Sequence, residues 1–121
     1  MKQEDFNEAF RRRTKQLALD IIKITSTLKY SDALGIIRKQ LISACTSVAS
    51  NFRATCRARS QRERFSKLCI VVEEADETEF WLGMLVDGGF ISAEAVFDVV
   101  TETLEILKVM SSYKKTVENN K

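Results

Sequence analysis

The sequence predicts an all-α protein, an antiparallel four-helix bundle with up-down-up-down topology. The 121-residue chain contains no proline and only four glycines. Because these residues are the usual breakers of regular structure, their scarcity favours long helices. Apolar residues also recur at every third or fourth position over four stretches, which places them on one face of a helix. The length fits one domain over residues 1–121, since domains are most commonly about 100 to 150 residues long.

The first two predicted helices cover roughly residues 4–29 and 32–57. Ser31 and Asp32 stand at the start of the second helix, where their side-chain oxygens can accept hydrogen bonds from free first-turn amides. One apolar stripe on each helix should face the core. Its members are Phe10, Leu17, Ile21, Ile24 and Leu28 in the first helix and Leu34, Ile37, Leu41, Cys45, Val48 and Phe52 in the second.

The third and fourth predicted helices cover roughly residues 61–87 and 93–117. Ser60 and Glu63 have the spacing of a capping box, in which each side chain satisfies an orphan backbone donor near the other. The glycine pair after the third helix can take the left-handed geometry that ends a helix. The predicted core stripes are Phe65, Leu68, Val72, Ala75, Leu82 and Val86 in the third helix and Phe97, Val100, Leu104 and Leu107 in the fourth.

The fourth helix, which follows a capping serine at Ser92, carries a second apolar row beside its main stripe. Two rows are wider than one bundle core needs. The second row indicates either a deeply buried helix or an interface between subunits. Trp81 and Met84, on the side of the third helix away from Val72, favour the interface. The second row consists of Val99, Ile106, Met110, Tyr113 and Val117.

Charge is divided along the chain, although the formal net charge is only +2. Residues 38–67 contain eight basic residues and one acid, whereas residues 73–105 contain ten acids and no basic residue. In an antiparallel bundle the two regions can face each other within a subunit, and in a symmetric oligomer they can do so between subunits. Either arrangement would use part of the basic surface.

Basic residues in the first helix and around the turn between the second and third helices are candidate contacts to a partner. Arginine suits phosphate recognition because its planar guanidinium donates paired hydrogen bonds and stays charged. The partner is either a nucleic acid, RNA or DNA, or an acidic helix of another subunit, and a solvated helix face is the alternative for residues 11–13. The candidates are Arg11, Arg12, Arg13, Arg53, Arg57, Arg59, Arg62, Arg64 and Lys67.

Glu79 is the acid that departs from this division, because helical spacing places it with the apolar stripe of the third helix. A buried, unpaired carboxylate costs several kcal/mol, so Glu79 should have a partner. Asn51, Arg53 and Arg57 on the second helix are the candidates. We interpret Asn51 and Glu79 as a buried polar clamp rather than a catalytic pair, since no nucleophile accompanies them.

Several classes of protein are disfavoured by what the sequence lacks. The chain has no histidine, the commonest general base and metal ligand near neutral pH. Its three cysteines have no Cys-x-x-Cys spacing and are interpreted as reduced, buried thiols. No apolar run approaches the ~20 residues that span a bilayer, and residues 1–5 are acidic where a signal peptide would become apolar. We therefore expect a cytoplasmic, non-enzymatic protein without cofactor, metal or membrane.

The segment 47–85 resembles the bacterial four-helix proteins known as 23S rRNA-intervening sequence proteins. Asn51 follows small residues, as in that family. One departure is Arg53-Ala54-Thr55, where many members have a small residue, Glu and Gly, so no role of that glutamate is carried over. The other residues that carry the resemblance are Arg57-Ala58-Arg59-Ser60, Lys67-Leu68, Glu73-Glu74-Ala75-Asp76-Glu77 and Trp81-Leu82.

The resemblance implies a ring-shaped homopentamer without enzymatic activity. Two functions remain open at this point. The first is a nucleic-acid-associated scaffold, in which several copies of a weak basic surface act together. The second is a protein-interaction module, in which the charges select a partner protein.

Overall fold

Four α-helices make up the protein, whose computed structural model describes residues 2–120. The elements are α1 (Gln3–Ser26), α2 (Asp32–Cys56), α3 (Gln61–Asp87), a single 3-10 turn (Glu94–Val96) and α4 (Phe97–Asn119). Helix α2 packs on α1 and α3, α3 packs on α4, and α4 returns to α1 with a smaller contact. The predicted all-α four-helix bundle is confirmed. Within the described residues, no helix has an apolar run long enough to cross a membrane.

Each of the three turns delivers a serine to the start of the next helical segment. Ser31 Oγ accepts a hydrogen bond from the Leu34 amide at 3.2 Å, and Ser60 Oγ accepts one from the Glu63 amide at 3.0 Å. Ser92 Oγ accepts from the Ala95 amide at 3.2 Å, inside the 3-10 turn that precedes α4. These bonds satisfy amides that have no partner within their own helix.

The residues that form the core recur every third or fourth position along each helix, and some of them are polar. Five threonines are buried, and each donates its hydroxyl to the carbonyl four residues earlier in its own helix. In this way a hydroxyl occupies the core without an unsatisfied donor. Among the described residues, no buried side-chain nitrogen or oxygen lacks a hydrogen bond. The five are Thr14, Thr25, Thr55, Thr78 and Thr103.

The core face of α3 is rotated from the one that the sequence predicts. Val72 and Val86, both predicted in the core, are only half-buried, whereas Val71 and Leu85 are fully buried. The prediction was wrong because the polar Thr78 occupies a core position and interrupts the apolar pattern. The buried positions of α3 are Leu68, Val71, Ala75, Thr78, Leu82 and Leu85.

The two apolar rows of α4 are exchanged relative to the prediction. The row interpreted as secondary supplies the core, through Val99, Ile106, Met110 and Val117. Phe97 and Leu104, from the predicted main stripe, are 66% and 44% exposed, and Val100 and Leu107 are half-buried. Both rows are about equally apolar. The buried Thr103 interrupts the apolar pattern of the row that faces the core, as Thr78 does in α3.

Candidate nucleic-acid interface

The basic residues of three chain segments form one continuous surface, which we call the basic strip. It begins in a groove between α1 and α2 that includes Ser50 and Arg53. A second depression shares those two residues and adds Arg57 and Glu63. A third shares Glu63 and extends past Ser60 onto the first turn of α3. The cations of the basic strip are Arg11, Lys15, Arg53, Arg57, Arg59, Arg62 and Lys67.

Helix geometry explains why these cations meet. Arg11 and Lys15 are four residues apart on α1, as are Arg53 and Arg57 on α2, so each pair lies on one helix face. The antiparallel packing of α1 and α2 sets the start of α1 beside the end of α2. The turn that follows adds Arg59, and the cap at Ser60 directs the first turn of α3 onto the same surface.

Within the part of the chain that the structure describes, Glu63 is the one carboxylate that lines the basic strip. It lies 3.8 Å from Arg59 Nε, and the Arg59 side chain is 90% exposed. A solvent-exposed ion pair of this kind contributes at most about 1 kcal/mol. Five cations of the strip make no ion pair or side-chain hydrogen bond within residues 2–120, namely Lys15, Arg53, Arg57, Arg62 and Lys67. The strip is therefore a surface whose cations remain available to an anion.

Arg13, a predicted contact residue, lies outside the basic strip. Its guanidinium donates to both carboxylate oxygens of Glu102 on α4, at 2.6 and 2.9 Å, and stacks 4.6 Å from the centre of the Phe10 ring. The hydrogen bond to Glu102 raises the pKa of Arg13 above its ordinary value. Glu102 was not identified from the sequence, because nothing local indicates a partner 89 residues away.

Arg12 and Arg64 also contact residues of their own helices and do not line the basic strip. Arg12 Nη2 lies 3.4 Å from the Glu8 carboxylate in an exposed pair on α1. Arg64 donates a hydrogen bond to Oε1 of Gln61 and is half-buried. Of the nine predicted contact residues, these two and Arg13 are set apart from the strip, whereas the other six line it.

The predicted clamp between Asn51 and Glu79 is not formed. The Asn51 amide donates to the backbone oxygen and to Oγ of Ser47, at 3.0 and 2.9 Å. Glu79 is half-buried and makes no hydrogen bond or ion pair within residues 2–120. The correction follows from the rotation of α3, because Thr78 takes the core position that the prediction gave to its neighbour.

The cysteines beside the basic strip have the character of packed thiols. Burial raises the pKa of Cys56, and the nearby guanidinium of Arg11 only partly opposes this effect. Burial also raises the pKa of Cys45 to about 11. A raised pKa keeps the thiol protonated, and the thiolate is the nucleophilic form. Within residues 2–120, no group of three potential ligands is placed to hold a metal ion.

A second exposed surface lies on α3 and α4. Val72 lines a shallow groove with Ser111 and Lys114 of α4, which identifies the sides of α3 and α4 that meet. Gly83 lies about three helical turns from Val72 on the same side of α3, and Leu104 and Val100 lie about two and three turns from Ser111 on α4.

We call the exposed large apolar residues of α3 and α4, together with Gly83, the α3–α4 face. They are Phe80, Met84, Phe97 and Leu104, with exposed fractions of 57%, 39%, 66% and 44%. The stretch of chain that supplies them, residues 73–105, has ten acids and no base. The chain segment that supplies this face is therefore acidic, whereas the residues of the basic strip are mainly cationic.

Comparisons with known proteins agree with this architecture. The family model for the 23S rRNA-intervening sequence protein matches residues 8–112. A crystal structure from Bacteroides thetaiotaomicron, of a protein with unknown function from the S23 ribosomal protein family, is similar at 27% sequence identity and a TM-score of 0.82. The similarity covers 90% of this chain and 97% of that one. No curated protein matches the chain. The family match covers most of the chain, and the chain belongs to the 23S rRNA-intervening sequence protein family.

Proposed function

We propose that this protein is a non-enzymatic, self-assembling helical scaffold of the bacterial cytoplasm that associates with nucleic acid through the basic strip. The observation that carries the proposal is the continuity of the strip, whose depressions are lined, among residues 2–120, by seven cations and one carboxylate. Phosphate oxygens accept paired hydrogen bonds from arginine, and five of the seven cations are arginines.

The low net charge does not oppose this proposal. The acids are concentrated in residues 73–105, and none of these residues lines the depressions of the basic strip. At physiological ionic strength, charges separated by more than about 8 Å of solvent are largely screened from each other. A phosphate at the basic strip therefore experiences mainly the cations around it.

Assembly is proposed to use the α3–α4 face. Phe80 and Phe97 are each more than half exposed, and a monomer gains nothing by holding two aromatic rings in water. Burial against a second copy would remove this apolar surface from solvent. The homopentameric ring implied by the family resemblance is the arrangement that we propose, and it would repeat the basic strip five times.

The proposal is tested by neutralising the turn. A variant carrying Arg57→Gln, Arg59→Gln and Arg62→Gln removes three cations of the strip. A matched variant with Lys23→Gln, Lys39→Gln and Lys115→Gln removes the same charge from exposed positions outside it. At about 50 mM salt, we expect the first to weaken binding to RNA or DNA more than tenfold and the second to change it only slightly. Equal effects would contradict a localised site.

A second candidate function, a protein-interaction module, is favoured by the α3–α4 face. Its combination of exposed aromatic side chains and surrounding acids fits a basic, apolar protein surface. The two functions differ in their response to nucleic acid. If the purified wild-type protein binds neither RNA nor DNA at about 50 mM salt, the nucleic-acid function is excluded and the protein-interaction function remains.

A further inference from the structure

The groove between α1 and α2 at one end of the basic strip differs from the rest of the strip, because its floor is apolar. The three depressions of the strip measure about 590, 300 and 530 Å³, and the groove between α1 and α2 is the largest of them. Ala18 and Ala49 form its small-residue floor, and Leu19 and Ile22 form one wall. Leu19 is 49% exposed.

The rim of this groove is polar and positively charged. Arg11 and Lys15 lie on the α1 side and Arg53 on the α2 side. Thr46 and Ser50 also line it, and both hydroxyls donate to carbonyls of α2, at 2.7 and 3.3 Å. Their oxygens therefore keep lone pairs that can accept a hydrogen bond from a ligand.

A nucleic-acid duplex would not contact the apolar part of this groove. A duplex presents phosphates and sugars on its outside and keeps its bases stacked within, so the apolar wall at Leu19 and Ile22 would stay in water. An unpaired base is flat and largely apolar on its faces, and proteins that read single strands hold such bases against side chains beside cations.

We propose that this groove binds an unpaired base of single-stranded RNA, with the neighbouring phosphates held by Arg11, Lys15 and Arg53. The inference rests on the proposed function and narrows its ligand to a single strand. Charge complementarity favours a polyanion over a protein segment at this rim. RNA is favoured over DNA because its 2′-hydroxyl can donate to the free lone pairs of Thr46 and Ser50, which deoxyribose cannot do.

The test compares three forms of one 12-nucleotide sequence that does not pair with itself. The forms are single-stranded RNA, the duplex of that RNA with its complement, and single-stranded DNA. Fluorescence anisotropy at about 50 mM salt gives the affinities. Leu19→Ala removes apolar contact without changing charge, and Ile36→Ala is the control because Ile36 is 65% exposed on α2 and does not line the groove. Both side chains are exposed, so both variants should fold.

We expect the wild type to prefer the single-stranded RNA, and Leu19→Ala to weaken that binding about five- to tenfold while duplex binding stays within about twofold. Ile36→Ala should change neither. If Leu19→Ala leaves single-strand binding unchanged although the wild type binds, the groove assignment is overturned and the proposed function survives. Equal affinity for the DNA strand would overturn the assignment to RNA. Absence of all binding by the wild type would overturn the proposed function and this inference together.

Discussion

The guanidinium of Arg13 on α1 and the carboxylate of Glu102 on α4 form a two-point ion pair, with contacts of 2.6 and 2.9 Å. The pair joins the first and last helices, whose contact is the least extensive between neighbouring helices of the bundle. The two side chains are 37% and 31% exposed. Their interaction is therefore only partly screened by solvent and helps to close the bundle.

Glu102→Gln should lower the free energy of unfolding by about 1 kcal/mol, because it removes the charge from a hydrogen-bonded pair that is partly exposed. Glu118→Gln is the control, since Glu118 is exposed on the same helix and has no ion pair within residues 2–120. Urea denaturation measures both. An equal loss in the two variants would show that the pair does not stabilise the bundle.

The rotation of α3 is tested by two adjacent valines. Val71 is fully buried, so Val71→Ala should cost about 2 kcal/mol through lost burial and a cavity. Val72 is half-buried, and Val72→Ala should cost less than about 1 kcal/mol. Glu79→Gln should change stability by no more than about 0.5 kcal/mol. A larger loss at Val72 than at Val71 would restore the helical phase that the sequence predicts.

The buried thiol of Cys45 predicts a specific alkaline effect on stability. Its pKa is raised to about 11 from 9.0, so the folded protein holds this proton more tightly than the unfolded chain. The resulting stability is fully present below pH 9 and is lost as the pH rises from 9 towards 11. Unfolding free energies at several pH values should decline less steeply in Cys45→Ala than in the wild type. Parallel curves would contradict the prediction.

Gly83→Ala should have opposite effects on folding and on assembly. A Cβ at Gly83 would meet no atom of the chain within 4 Å, and alanine is favoured over glycine in a helix by about 1 kcal/mol. The variant should therefore melt at a higher temperature but self-associate more weakly, because the new methyl occupies the α3–α4 face. Sedimentation velocity measures the association. Ser43→Ala, on the exposed side of α2, should leave association unchanged, and unchanged association in Gly83→Ala would contradict the role of the face.

The sequence allowed the fold to be predicted because its helix signals are local. The serines at 31, 60 and 92 act within three residues of themselves, and the absence of proline applies to every helix. Which faces of α3 and α4 are buried in the core could not be predicted in the same way. Thr78 and Thr103 are polar by type and buried in fact, because a hydroxyl bonded within its own helix can enter the core.

The basic strip was predictable where its residues are close in sequence and not where they come from separate helices. Arg53 to Lys67 follow one another through a single turn, so their clustering is visible in the chain. The presence of Lys15 and the absence of Arg13 in the strip depend on which face of α1 meets α2 and which meets α4. That choice is made by tertiary packing, which sets Arg13 against Glu102.

The salt dependence of nucleic-acid binding tests the central claim most directly. The affinity of the wild type and of the Arg57→Gln, Arg59→Gln, Arg62→Gln variant for a single-stranded RNA is measured at several salt concentrations. Each lost phosphate contact should make the slope of log affinity against log salt less negative by about 0.7, so the variant should differ by about 2. Identical slopes, or a wild type that does not bind at about 50 mM salt, would contradict a nucleic-acid function of the basic strip.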